Sequence, residues 1–94
     1  MRKLQSSKKF DKAYQKFVHH DIALQRQVDE TIKRMEDDVF SPTLGAHKLT
    51  GNLWGLFACS CGYDCRIVFS IERDKNSGEE FILLDDVGTH DEVY

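Results

Sequence analysis

The chain has 94 residues, of which 40% are hydrophobic and 31% charged, with a single proline; this describes one compact domain over residues 1–94 rather than two domains or a disordered tail. Its formal net charge of −3 argues against a generic nucleic-acid binder, and no apolar run approaches the ~18 residues of a membrane span. Charge is unevenly placed: residues 1–34 hold nine Lys or Arg against four Asp or Glu, and residues 35–94 hold four against twelve, so a basic face is available early in the chain.

Met1-Arg2-Lys3 leads into Lys8-Lys9-Phe10-Asp11-Lys12 instead of an apolar leader, which predicts a cytoplasmic protein with no membrane partner. Arg2-Lys3-Leu4-Gln5 reads as a short strand, and Ser6-Ser7 offer hydroxyls to cap a following helix. Phe10, Tyr14, Phe17 and Val18 recur at i, i+4, i+7 and i+8, the stripe of an amphipathic helix, with Lys9, Lys12 and Lys16 mostly on its other side. His19-His20-Asp21 interrupts the pattern. The two histidines read as solvated loop residues without a role, and Asp21 as the cap of a second helix whose apolar positions are Leu24, Val28, Ile32, Met35 and Val39. Ser41-Pro42 ends that helix, because proline restricts the residue before it and has no amide to donate, and Gly45 lets the chain turn.

From residue 47 onward the apolar period changes from 3.6 to 2. Residues 54–60, 66–72 and 80–85 are the predicted strands, separated by Cys61-Gly62-Tyr63-Asp64 and by a polar loop over 73–78. The order β-α-α-β-β-β describes an α+β fold, an N-terminal strand and helical hairpin packed on a small antiparallel sheet. Gly88-Thr89-His90-Asp91-Glu92-Val93-Tyr94 leaves the sheet through a glycine, and Thr89 is placed to cap a short terminal turn.

Cys59, Cys61 and Cys65, with His47 or His90, would supply four ligands to zinc. Metal knuckles, however, favour C-x2-C on a tight turn, whereas C-x-C in a strand sends both thiols to one face. The favoured expectation is three reduced, half-buried thiols and no metal or other cofactor. His47 and His90 each adjoin a glycine-bearing turn at the margin of the predicted sheet. With Asp64, Arg66 and the phenol of Tyr94 they contain an acid, a base and a charge stabiliser.

The segments His47-Lys48-Leu49-Thr50-Gly51-x3-Gly55, Tyr63-Asp64-Cys65-Arg66-Ile67-Val68-Phe69 and Gly88-Thr89-His90-x3-Tyr94, in this order of elements, resemble the RelE/ParE superfamily of bacterial toxins. The nearest subgroup is the YafQ-like one, and the likeness covers nearly the whole chain. It implies a small ribonuclease that cuts messenger RNA on the ribosome without a metal and is silenced by a cognate antitoxin. The toxin–antitoxin complex is expected to reach operator DNA through the antitoxin. Position by position, His47 matches the family's histidine in the HxLxG segment, Asp64 its carboxylate, His90 its C-terminal histidine and Tyr94 its terminal aromatic. Two positions depart from the pattern: Ser60 stands where a further histidine is expected, and Asp86 where an arginine is expected. Arg66 is placed to compensate, since related toxins carry an arginine at the start of this strand.

Metal-free RNA cleavage requires a base for the ribose 2′-OH, a cation for the scissile phosphate and an acid for the leaving 5′-oxygen. His47 or Asp64 is assigned as base, His90 as acid and Arg66 as phosphate clamp, while Tyr94 stacks on a nucleobase or orients His90. The competing expectation is a superfamily member that does not cut RNA, either a gyrase inhibitor or a catalytically impaired antitoxin binder. The acidic balance of residues 35–94 and the Ser60 and Asp86 departures favour it.

Overall fold

The computed structural model describes residues 2–94. They form strand β1 (Lys3–Ser6), helices α1 (Lys8–Phe17) and α2 (Ile22–Asp38), strands β2 (His47–Lys48), β3 (Phe57–Gly62), β4 (Cys65–Arg73) and β5 (Glu80–Gly88), and a terminal helix α3 (His90–Val93). The helix starts are where the capping residues put them. Ser7 Oγ accepts the Phe10 amide at 3.0 Å and Asp21 Oδ1 accepts the Leu24 amide at 3.0 Å, each satisfying a donor that has no partner within its helix. After α2 ends at Asp38, Pro42 opens a separate 3₁₀ turn, Pro42–Leu44.

The α+β class and the helical hairpin are as expected, but the sheet is mixed rather than purely antiparallel. Its order is β1-β5-β4-β3-β2. Strands β3, β4 and β5 pair antiparallel, whereas β1 lies parallel to β5 with Leu4 opposite Ile82. Parallel neighbours need a long crossover between them, and the helical hairpin together with β2–β4 supplies it. The strand expected at 54–60 starts at Phe57, because Gly51–Leu53 forms a 3₁₀ turn, and His47–Lys48 adds an edge strand of its own. Strand β5 runs on past Asp85 to Gly88: Val68 faces Asp86 while Phe69 faces Leu84, so Asp85 is the extra residue of a bulge.

Both helices cover one face of the sheet. Phe10, Val18, Val28, Met35 and Val39 meet Cys59, Ile67, Phe69, Ile82 and Leu84 there in the main core. Phe69 is fully buried at its centre and stacks on Phe57 with ring centroids 5.4 Å apart; truncating such a ring costs about 3–5 kcal/mol. On the opposite face a smaller cluster of Ala58, Val68 and Val93, flanked by Leu49 and Leu56, marks where α3 folds back onto the strands. Gly88 lies beneath that helix: a Cβ there would meet Glu92 Cβ at 3.2 Å, so the glycine provides space.

The cysteines differ from expectation. Cys59 and Cys61 do share the helix-covered face, but all three are buried rather than half-buried, and Cys61 is bonded to Cys65 instead of remaining reduced. The tight β3–β4 turn brings their Cα atoms to 5.0 Å, inside the span a disulfide bridges. Cys59 stays free, its thiol pushed up to about 12 by burial and facing Met35 Sδ at 3.8 Å.

Candidate active site

The four-residue helix α3 is too short to hold itself, and three contacts fix it. Thr89 Oγ1 accepts the Glu92 amide at 3.3 Å while Glu92 Oε1 accepts the Thr89 amide at 3.0 Å, a reciprocal capping box. The Thr89 amide holds the Glu92 carboxyl below the usual range. Val93 buries against Val68 and Ala58. The third contact comes from the β3–β4 turn, where Asp64 Oδ1 accepts the main-chain N–H of His90 at 3.1 Å. Asp64 has φ +52°, a left-handed conformation that Asp tolerates better than most side chains.

So held, α3 presents two rings one turn apart. His90 and Tyr94 stand edge to face with centroids 4.4 Å apart, as i and i+4 residues do on one helical face. His90 Nδ1 lies 3.5 Å from Asp91 Oδ1. Partial burial raises the Tyr94 phenol above its ordinary value, opposed by the positive charge of Arg66, so the hydroxyl keeps its proton at neutral pH.

Arg66 is the second residue of β4, flanked by Ser60 on β3 and Gly88 on β5. It therefore lies in the sheet row that ends beneath α3. Among the described residues its hydrogen bonds all run from Nη1, to the carbonyls of Cys65 (2.8 Å) and Gly62 (3.1 Å) and to Ser60 Oγ (3.5 Å). Nη2 and Nε are left as donors for an incoming anion.

His47 occupies the edge strand opposite Ala58. Because the Gly45 carbonyl 3.1 Å from its Nδ1 can only accept, Nδ1 is the donor there and Nε2 is the ring nitrogen left for another partner. Directly opposed residues share a sheet face, which places His47, Ala58, Val68 and Asp86 in one row and Ser60, Arg66 and Gly88 in the next. Strand spacing and rise set the main chains of His47 and Arg66 roughly 12 Å apart. Asp64, His90 and Tyr94 thus form one contact chain with Arg66 beside it, while His47 stands on the same face, two strands away.

Asp86 ends the His47 row, its Oδ2 3.8 Å from Lys9 Nζ. Next to it a depression of about 310 Å³ opens between α1 and α3, lined by Lys16, Phe17, Asp86 and Glu92. The zinc ligand set is not assembled: Cys61 and Cys65 bond to each other, and no group of three His, Cys, Asp or Glu side chains is arranged around a metal position among the described residues. Glu92, the other half of the Thr89 capping box, is legible in the pattern Thr-x-x-Glu at 89–92, whereas Lys9 as partner of Asp86 depends on how α1 docks on the sheet and Ser60 as support for Arg66 depends on strand register.

No family model and no curated protein sequence matches this chain. Solved structures do. YafQ from E. coli is similar over 100% of this chain and 99% of its own, with TM-score 0.77 at 10% identity, and the E. coli DinJ–YafQ complex gives TM-score 0.75 at 11% identity over 100% and 99%. A YoeB/ParE toxin from Agrobacterium tumefaciens matches with TM-score 0.75 at 14% identity, covering 94% of this chain and 98% of that one. The protein HP0894 from Helicobacter pylori matches with TM-score 0.74 at 24% identity, covering both chains fully. The chain has the fold of these toxins.

Proposed function

We propose that this chain is the toxin of a bacterial type II toxin–antitoxin pair, a RelE/ParE superfamily member nearest the YafQ-like group, and that it cuts messenger RNA on the ribosome without a metal. The observation that carries this reading is α3 folded over the open sheet face, which sets His90 against Tyr94 beside the strand bearing Arg66. The shared fold with YafQ and the YoeB/ParE toxin supports it.

In this reading the RNA strand lies along the open face with its scissile phosphate on Arg66. The free Nη2 and Nε donors neutralise charge that grows on the phosphate oxygens as the 2′-oxygen attacks phosphorus. In-line displacement needs a base and an acid on opposite sides of phosphorus. His47 Nε2 takes the 2′-OH proton from one side, and His90 gives a proton to the departing 5′-oxygen on the other. The two imidazoles stand on separate elements, His47 on β2 and His90 on α3 after β5, and Arg66 is on β4, between β2 and β5 in the sheet order. Tyr94, 41% exposed, offers its remaining ring surface to a nucleobase.

No helix among the described residues is long and apolar enough to cross a membrane; the expected compartment is the cytoplasm, where the proposed substrate is. The existence of the DinJ–YafQ complex supports a cognate antitoxin partner. An acidic antitoxin segment would run across exposed Lys8, Lys12 and Lys16 of α1, and the antitoxin would supply base contacts to operator DNA. A second reading, a non-nucleolytic gyrase inhibitor or impaired antitoxin binder, is favoured by Asp86, whose carboxylate stands where the resemblance expects a cation. Ribosomes programmed with a defined message decide: cleavage by the parent chain, lost in a folded Arg66→Ala variant, supports the nuclease, whereas intact RNA with gyrase-linked DNA damage supports the alternative.

A further inference from the structure

We infer that Asp64 is a positioning residue for His90 and not the base of the reaction; this rests on the proposed nuclease reading. The carboxylate is already engaged, its Oδ1 accepting the His90 main-chain N–H at 3.1 Å. That N–H belongs to the first residue of α3, which has no partner inside the helix. The bond joins positions 26 residues apart and is the polar contact from the β3–β4 hairpin to the helix start.

The turn itself is built to hold this orientation. Gly62 with φ +136° and Asp64 with φ +52° reverse the chain within three residues. Cys61 and Cys65 are bonded across it, and Arg66 Nη1 ties the Gly62 and Cys65 carbonyls together. Every one of these constraints fixes the residue that carries the carboxylate. At the other end, the capping box and Val93 set the helix against the sheet, but neither contacts the His90 amide. Asp64 is therefore the group that registers the His90 ring, and through it the Tyr94 ring, against the strand bearing Arg66. A displacement of about 1 Å in a reacting group can cost 100-fold in rate, which is the scale on which such a contact matters.

Asparagine separates the two roles, because its carbonyl oxygen still accepts the amide hydrogen and the residue tolerates the left-handed turn conformation, yet it cannot take a proton from a 2′-OH. The test compares Asp64→Asn and Asp64→Ala by ribosome-dependent cleavage and by hydrogen exchange of the His90 amide in ¹⁵N NMR spectra. Asp64→Asn is expected to keep cleavage within about threefold of the parent and to keep the amide protected. Asp64→Ala is expected to lose protection at His90, to shift the ring resonances of His90 and Tyr94, and to lower cleavage about 10- to 100-fold. Loss of cleavage in Asp64→Asn equal to that in Asp64→Ala, with the amide still protected, would overturn the inference and restore Asp64 as a base. An amide that stays protected in Asp64→Ala would overturn it as well. If the parent chain itself leaves RNA intact, the nuclease reading fails, and the exchange data alone still decide whether Asp64 registers His90.

Discussion

Lys9 on α1 and Asp86 on β5 face each other across 3.8 Å, and Asp85 stands 3.6 Å from the same ammonium nitrogen. The carboxylate at the position where an arginine is expected therefore has a counter-charge, shared with Asp85 and reached because α1 begins directly after β1, beside the C-terminal part of β5. Lys9 is 65% exposed, and a solvated pair of this kind contributes about 0–1 kcal/mol. Asp86→Asn is expected to change stability by less than about 1 kcal/mol in urea unfolding and not to reduce RNA cleavage. A drop in cleavage with stability unchanged would show that the carboxylate takes part in the reaction.

Tyr14 links the two helices, donating its phenol hydrogen to Asp29 Oδ1 at 2.7 Å. Burial, then the hydrogen bond to Asp29 and the charge of that carboxylate, push the phenol up to about 12 from an ordinary 10.0. The folded chain thus holds this proton more tightly than the unfolded chain. The associated stability is complete below pH 10 and is lost as pH rises from 10 towards 12. Tyr14→Phe should cost about 1–2 kcal/mol at pH 8, and the gap between parent and variant should narrow in urea titrations at pH 11.5. A gap that does not change with pH would contradict the assigned cause.

Much of the fold was legible because the deciding interactions are local. Ser7, Asp21 and Thr89 each cap the helix that their spacing from the following residues indicated, and the apolar stripe from Phe10 to Val18 faces the sheet as its period required. The parallel docking of β1 on β5 was not legible, since it depends on where two segments 78 residues apart in sequence meet. The spatial grouping of the candidate residues was partly legible: Asp64, His90 and Tyr94 do come into contact. The separation of His47 from them depends on sheet order, and the engagement of Asp64 with a main-chain amide depends on how α3 folds back. Neither leaves a trace in residue spacing. The disulfide was missed because the expectation of a cytoplasmic protein favoured reduced thiols, while the geometry of the Cys61–Cys65 turn becomes visible only after folding.

Gly62 carries two constraints that can be measured separately. Its φ of +136° is one side chains rarely adopt, and a Cβ there would collide with Gln27 Nε2 of α2. Gln27 is exposed and its amide can swing away, whereas the backbone angle cannot relax without opening the β3–β4 turn. Gly62→Ala should therefore destabilise the chain by about 1–3 kcal/mol, and adding Gln27→Ala should recover only a minor part of that. Full recovery in the double variant would assign the cost to crowding instead of backbone strain.

His90 is the residue on which the proposed reaction depends most directly. In a ribosome-dependent cleavage assay with a defined message, His90→Ala should retain the parent's unfolding midpoint within a few degrees and cut about 10²–10⁴-fold more slowly, the range that a positioned proton donor supplies. The same variant should relieve growth arrest when expressed without an antitoxin. Cleavage and arrest at parental levels in a folded His90→Ala chain would contradict the proposed reaction.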